Sequence, residues 1–453
     1  MNPELTRNLW LELTPRRLAT MAIILALIFF AAGLSGGDYY RPASVAVVLY
    51  YFIVVIWGAR NAALSVVGEI RDRTWDLQRL SSLSAADMTW GKLFGATAYN
   101  WYGGAICLAV ILAHGFTHDR FVSVVIDLVY YLAVGVIAQA AAFLASLIAV
   151  RRRQSHTRLE IFFYQLAGLI AALAVVYVWD AADPAGSIIA HKAPTDFIEW
   201  WGHSYDARPF LLISLALFTA WTLAACYRTM RLELQMRNGP LVWLGFLVFI
   251  GIYVAGFDAW LSQDPMMANW DPVALRLALA ATAYGFLTYV MVLLEPKDRV
   301  HYRWLAGELV AGRIGKFAGG LHAWMMSYLA TLIFCSLLIW WQMRLADMQA
   351  VALIAAGLGF LTRDVSIFVL VHALPGRRRG DFSVLLILFA LYVLVPAIVN
   401  GLDVKGALAF FYPQPGNAAW LSAAIAWAEA LLVALLAAGR VAIAEQPAKI
   451  KPA

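Results

Sequence analysis

The chain is 453 residues long, 62% apolar and 14% charged, with 18 Trp and a mean hydropathy of +0.73; this composition excludes a soluble globular domain and reads as an integral membrane protein. Thirty-four Lys and Arg against 28 Asp and Glu leave a formal charge of +6. The basic residues are sorted by loop rather than gathered into one patch, which argues against a nucleic-acid partner. Cys107, Cys226 and Cys335 lie inside apolar runs, where a thiol behaves as a small hydrophobe and a disulfide framework has no place.

In chain order, a polar opening segment ending in Arg16 and Arg17 leads into twelve apolar spans: Leu18–Leu34, Ser44–Gly58, Leu93–Ala113, Phe121–Val150, Ile161–Trp179, Phe210–Cys226, Leu241–Phe257, Val273–Leu294, Leu321–Trp341, Ala350–Leu374, Phe382–Val399 and Trp420–Ala438. Most reach the ~20 residues that a helix needs to cross the hydrocarbon core. The first resembles a signal peptide but has a counterpart at Leu241–Phe257, so it reads as a retained helix. With the first segment inside, the loops on that side carry 26 Lys and Arg and the opposite loops six, which predicts both termini in the cytoplasm. The expected fold is all-α and polytopic, with about 12 transmembrane helices.

Adding 226 to the numbers of the first half brings polar features into register: Glu69 onto Glu295, Arg71-Asp72-Arg73 onto Lys297-Asp298-Arg299, and Arg151-Arg152-Arg153 onto Arg377-Arg378-Arg379. Gly91-Lys92 falls within two residues of Gly315-Lys316. This pattern predicts two tandem six-helix modules, 1–230 and 231–453, related by an axis along the membrane normal. The opening segment and the linker Tyr227–Pro240 both read as interfacial helices. The long external loops Asp180–Pro209 and Asn400–Ala419 hold Pro and aromatic residues and read as lids.

Between the second and third spans, "GEIRDRTWDLQRLSSLSAADMTWGKL" is far longer than a turn requires, and Leu77, Leu80, Leu83 and Met88 are spaced to give one helix an apolar side. Glu69 is expected to pair with Arg16 or Arg17, and Lys92 to hold the third span by snorkelling to the interface. The order Glu69, Thr74, Trp75, Asp76, Leu80, Ser82, Trp90, Gly91, Lys92 resembles the loop after the second span of ABC-2-type transporter permeases, without the Pro that usually follows the Ser position. In the second half Glu295, Trp304, Gly315 and Lys316 keep that order, and no Thr follows the acidic residue. The resemblance implies the transmembrane subunit of an ABC exporter in a bacterial cytoplasmic membrane, two modules fused in one chain, with these residues coupling it to separate ATPase subunits that hold ATP and Mg. The chain's only Gly-Lys pairs carry Ala86 and Val310 where a phosphate-binding loop needs its first Gly, and Leu93 and Phe317 where it needs a hydroxyl. No cofactor is therefore expected here, and the chain itself is expected not to be an enzyme.

Asp127, Gln139, Arg363, Asp364 and Glu429 lie within spans, where a polar group is costly and should face the bundle interior; they are candidates for an intramembrane polar pathway. His114 and Asp119 have the spacing of some acyltransferase bases, and His114, His118, His191 and His203 could meet outside the membrane, but these loop residues predict neither catalysis nor a metal site. An ATPase-independent secondary transporter or channel is the alternative reading.

Overall fold

The computed structural model describes residues 2–34, 42–117, 121–151, 158–180, 197–236, 238–262, 267, 270–374, 380–402 and 404–442. His118, Asp119, His191, Arg152, Arg153 and Arg377 to Arg379 lie outside them. The chain is an all-α, multi-pass membrane protein that divides into two compact units, unit 1 of Met1–Ile198 and Ser204–Asn238, and unit 2 of Glu199–His203 and Gly239–Ala453. Ten helices among the described residues are long and apolar enough to cross a membrane, or eleven if one bent pair forms a single span.

Unit 1 opens with α1 (Pro3–Glu12), which starts on Asn2: the Asn2 side chain accepts the Leu5 N–H, and Pro3 gives up no hydrogen bond at the first helical position. Next comes α2 (Pro15–Leu34), whose 20 residues span about 30 Å. The second span is longer than its apolar core: α3 (Pro42–Tyr50), a π-helical stretch Tyr51–Trp57 and α4 (Gly58–Arg71) form one run of 30 residues. The polar elbow that follows holds α5 (Trp75–Arg79) and α6 (Ala85–Trp90), then a π-helical turn Gly91–Gly95. The third span is bent by 51° between Ala85–Gly95 and the stretch Ala98–His114 of α7 (Ala98–Thr117). Thr97 sits at that bend, its hydroxyl donating to the Leu93 carbonyl at 2.7 Å, a back-bond that bends helices. α8 (Phe121–Arg151), α9 (Arg158–Asp180) and α10 (Ala207–Glu233) complete the unit. Small residues set the core: Ala59, Ala63 and Val67 of α4 pack on Ala142 and Ala149 of α8, an arrangement that membrane helices need for close dispersion contact. The expected interfacial helix at Tyr227–Pro240 is corrected here, since Tyr227 to Glu233 simply continue α10.

The hairpin of β1 (Phe197–Trp200) and β2 (His203–Asp206) turns at Trp201 and Gly202, both with positive φ. In unit 2, the indole N–H groups of Trp200 and Trp201 donate to the carbonyls of Tyr253 and Ile252, at the end of α11 (Leu241–Ala255). At 15 residues, about 22 Å, α11 is shorter than the expected span Leu241–Phe257; it stops at Gly256, where the Trp200 indole occupies the space of a Cβ. α12 (Asp258–Leu261) and α13 (Pro272–Leu294) follow. The second elbow holds α14 (Arg299–Val310) and α15 (Ile314–Gly320). Then come α16 (Ala323–Arg344), α17 (Met348–His372), and a span made of α18 (Gly380–Phe389), a π-helical turn Ala390–Leu394 and α19 (Val395–Gly401). Two short 3-10 turns, Lys405–Phe410 and Gly416–Ala418, lead into α20 (Ala419–Ala442). α17 is the buried centre of the unit, with Val365, Phe368 and Val371 against Val292 and Val384, and Ala356 and Phe360 against Ala423 and Ala426.

Candidate functional site

The first elbow is organised from beneath by charge. Lys92 is 1% exposed and its ammonium meets Glu4 at 3.3 Å and Glu69 in a short ion pair. Arg7 bridges the same two carboxylates, at 2.9 Å from Glu4 and 2.7 Å from Glu69. Two cations and two anions cancel, so each buried charge has its counter-ion, the condition under which ions tolerate burial. Gln78 adds its amide to Glu69 at 2.5 Å, and Asn2 and Asn8 reach the carbonyls of Asp87 and Gly91. Gly91 admits this contact: a Cβ there would lie 2.6 Å from the Glu4 side chain and 2.8 Å from the Leu5 nitrogen. α1 is thereby strapped across the elbow, tying the end of the second span to the start of the third.

Three expectations change. Glu69 pairs with Arg7, whereas Arg17 turns to Glu12 at 2.8 Å and lies 5.5 Å from the Tyr99 ring centre. Lys92 does not snorkel; the carboxylates of α1 and α4 hold it inside. The elbow is two short helices, so its apolar residues divide: Met88 is buried, and Leu77 and Leu80 are 72% and 85% exposed. Thr74 terminates α4 through its hydroxyl and N–H on the Glu69 carbonyl. Trp75 is buried, with its indole donating to Glu233 of α10 at 3.3 Å and its ring 5.3 Å from the Lys92 ammonium.

In unit 2, Glu295 ends a span as Glu69 does, with different chemistry. Its two oxygens accept the N–H groups of Ala323 and Trp324, at 3.1 and 3.0 Å, so a carboxylate caps the first turn of α16. Gly315 and Lys316 sit exposed on α15, ahead of α16, and do not take the buried position that Gly91 and Lys92 have in unit 1. Lys297 pairs with Asp381 at 2.9 Å, and His372 approaches the same carboxylate at 3.2 Å. Burial, then the Glu295 charge, pushes the Tyr302 hydroxyl of α14 above its ordinary range. Val310 and Ile314 are exposed on this elbow.

The intramembrane candidates fall into separate clusters. In unit 1, side-chain amides from three helices donate to carbonyls of the π-helical stretch: Asn100 to Ile53, Gln139 to Val54 and Gln165 to Ile56, at 2.9, 3.0 and 3.0 Å. Asn61 and the Trp101 indole complete the set, on Asn100 and Gln139. Asp127 stands 12 residues before Gln139 on α8, about 18 Å along the helix, outside this set.

In unit 2 Arg363, Asp364 and Glu429 do meet. Asp364 accepts Arg363 Nε at 3.0 Å and the hydroxyls of Tyr289 and Tyr392 at 2.7 and 2.6 Å. Arg363 Nη1 donates to Glu429 at 2.8 Å, and the guanidinium carbon lies 4.7 and 5.3 Å from the ring centres of Phe360 and Tyr392. Tyr392 belongs to the π-helical turn of its span, which aims its hydroxyl at Asp364. Sequence reading missed Glu4, Arg7, Asn100, Gln165, Tyr289 and Tyr392. An amide inside an apolar run was the available signal for Asn100 and Gln165, whereas the tyrosines carried none, since Tyr is ordinary in a span. Among the described residues no group of His, Cys, Asp and Glu is placed to hold a metal ion, and the three cysteines are free and buried.

No family model, curated protein or solved structure matches this chain.

Proposed function

We propose that the protein is the ABC-2-type permease subunit of an ABC exporter in a bacterial cytoplasmic membrane, with both termini inside. In this reading the chain crosses the bilayer twelve times as two six-helix modules, 1–230 and 231–453. Separate ATPase subunits bind ATP and Mg, and the chain itself supplies the path. The observation that carries the reading is the first elbow. A soluble motor can move membrane helices only through a stiff element continuous with them, and the Glu4, Arg7, Glu69 and Lys92 network makes this elbow stiff while Leu77 and Leu80 face outward. The second elbow presents Val310 and Ile314 in the same manner. Co-purification with a co-expressed ABC ATPase from the same genome tests this. Leu77→Glu with Leu80→Glu should abolish association, and Glu69→Ala should keep association while lowering transport per ATP. Association untouched by the Leu substitutions and by charge reversal at Glu69 and Glu295 would refute it.

The second reading, an ATPase-independent transporter or channel, draws on the π-helical interruptions and on the Arg363, Asp364 and Glu429 cluster beside one of them. The three π-helical interruptions among the described residues fall in the second span of unit 1, at the start of its bent third span and in the α18–α19 span of unit 2, and no two occupy corresponding places in the proposed repeat, as such transporters would have them. Nucleotide-free transport in proteoliposomes would favour it.

A further inference from the structure

Arg363 has five N–H donors, and its surroundings use only part of them. Nε is spent on Asp364 and Nη1 on Glu429, with the Phe410 carbonyl a marginal 3.5 Å away. Nη2 is buried and, among the described residues, has no hydrogen-bond partner. A dry, unanswered N–H pair on a permanently charged group costs free energy. Asp364 is held by two tyrosine hydroxyls as well as by Nε. Glu429 is different: it is 34% exposed at the side chain and attached through one oxygen to one nitrogen. It stands ten residues into α20, about 15 Å from its start and about 20 Å from its end, so this exposure lies in the middle part of the span.

We propose that the outer edge of Arg363, Nη1 with Nη2, is an oxyanion-binding site, and that Glu429 is a resident counter-ion which an incoming carboxylate or phosphate group replaces. The geometry favours exchange over addition. Asp364 already neutralises Arg363, so a further anion beside Glu429 would set two surplus negative charges against none. An oxyanion that displaces Glu429 takes its place on the guanidinium and gains the two-pronged contact that Glu429 does not make, and a proton taken up by the released Glu429 carboxyl keeps the total charge constant. The Phe360 and Tyr392 rings lie against the guanidinium, Nη2 is itself buried, and the partly exposed Glu429 stands at the same edge, so the edge opens only as Glu429 swings away. The site concerns binding, so it does not depend on the ATPase reading.

The test uses the full chain in phosphatidylcholine nanodiscs, without ATPase, with the thermal midpoint followed against octyl phosphate or octyltrimethylammonium, and in a second set of discs containing phosphatidate. Octyl phosphate should raise the midpoint of the wild type, and Glu429→Gln, which removes the competing charge, should lower the half-saturating concentration about tenfold. Arg363→Gln with Asp364→Asn, which keeps the site neutral, should abolish the rise. Stabilisation by phosphatidate discs alone assigns the oxyanion to a lipid headgroup, and by octyl phosphate alone to a diffusible molecule; both support the site. It is overturned if Glu429→Gln leaves the concentration unchanged or raises it, if the ammonium probe stabilises instead, or if neither phosphate does.

Discussion

Replacing Lys92 with Met tests whether the strap on the first elbow is electrostatic. The wild-type cluster is neutral, with Glu4 and Glu69 against Lys92 and Arg7. Lys92→Met leaves two carboxylates for one guanidinium, and Glu4, at 3% exposure, cannot recover its loss from water. Breaking a buried ion pair from one side costs roughly 3–5 kcal/mol. Arg7 is 46% exposed and stays to screen one carboxylate, so the low end applies, about 3 kcal/mol, or a factor of about 150 in the folded ratio. Adding Glu4→Gln removes the uncompensated charge, and the double variant should recover more than about 1 kcal/mol. The assay is dodecyl sulfate unfolding in mixed micelles, followed by far-UV circular dichroism, on the two single variants and the double. A loss under ~1 kcal/mol for Lys92→Met, or additive losses in the double variant, would show that packing against Gly91 and Gly95 holds α1 and charge does not.

Glu295→Ala removes the carboxylate that caps α16 and should cost about 1–2 kcal/mol in the same assay, with Glu295→Asp failing to restore it because the shorter side chain cannot reach both N–H groups. The raised Tyr302 hydroxyl gives an alkaline signature. Its folded value lies above the unfolded 10.0, so its contribution is complete below that pH and is lost as the pH rises through the folded value. Stability of the wild type should therefore fall above about pH 10, and Tyr302→Phe should flatten that limb in a pH series of thermal midpoints.

The legible part of the protein was its solvent preference. A long apolar run must be a helix in lipid whatever surrounds it, because its backbone polar groups have no other partner there. Glu69 and Glu295 were also legible as paired features, since a carboxylate ending an apolar run at the same offset in both halves needs no partner to be noticed. What each one binds was not. Glu69 meets Arg7 and Lys92, and Glu295 meets two backbone amides; both choices depend on which helix start is packed beside it.

By itself, then, the sequence determined the class: an all-α polytopic chain with its apolar runs in order, a long polar elbow after the second, and costly ionisable residues inside a few spans. Only the tertiary structure decided that Lys92 is buried against Glu4, 88 residues away, that the second span loosens into a π-helix whose carbonyls are met by Asn100, Gln139 and Gln165, and that Arg363, Asp364 and Glu429 form one cluster with Tyr289 and Tyr392. Hydropathy is a property of each residue and survives in one dimension. Satisfying a buried charge or a buried side-chain amide requires a partner within about 3 Å, and such partners are brought there by the packing of helices whose separation along the chain says nothing of their separation in space.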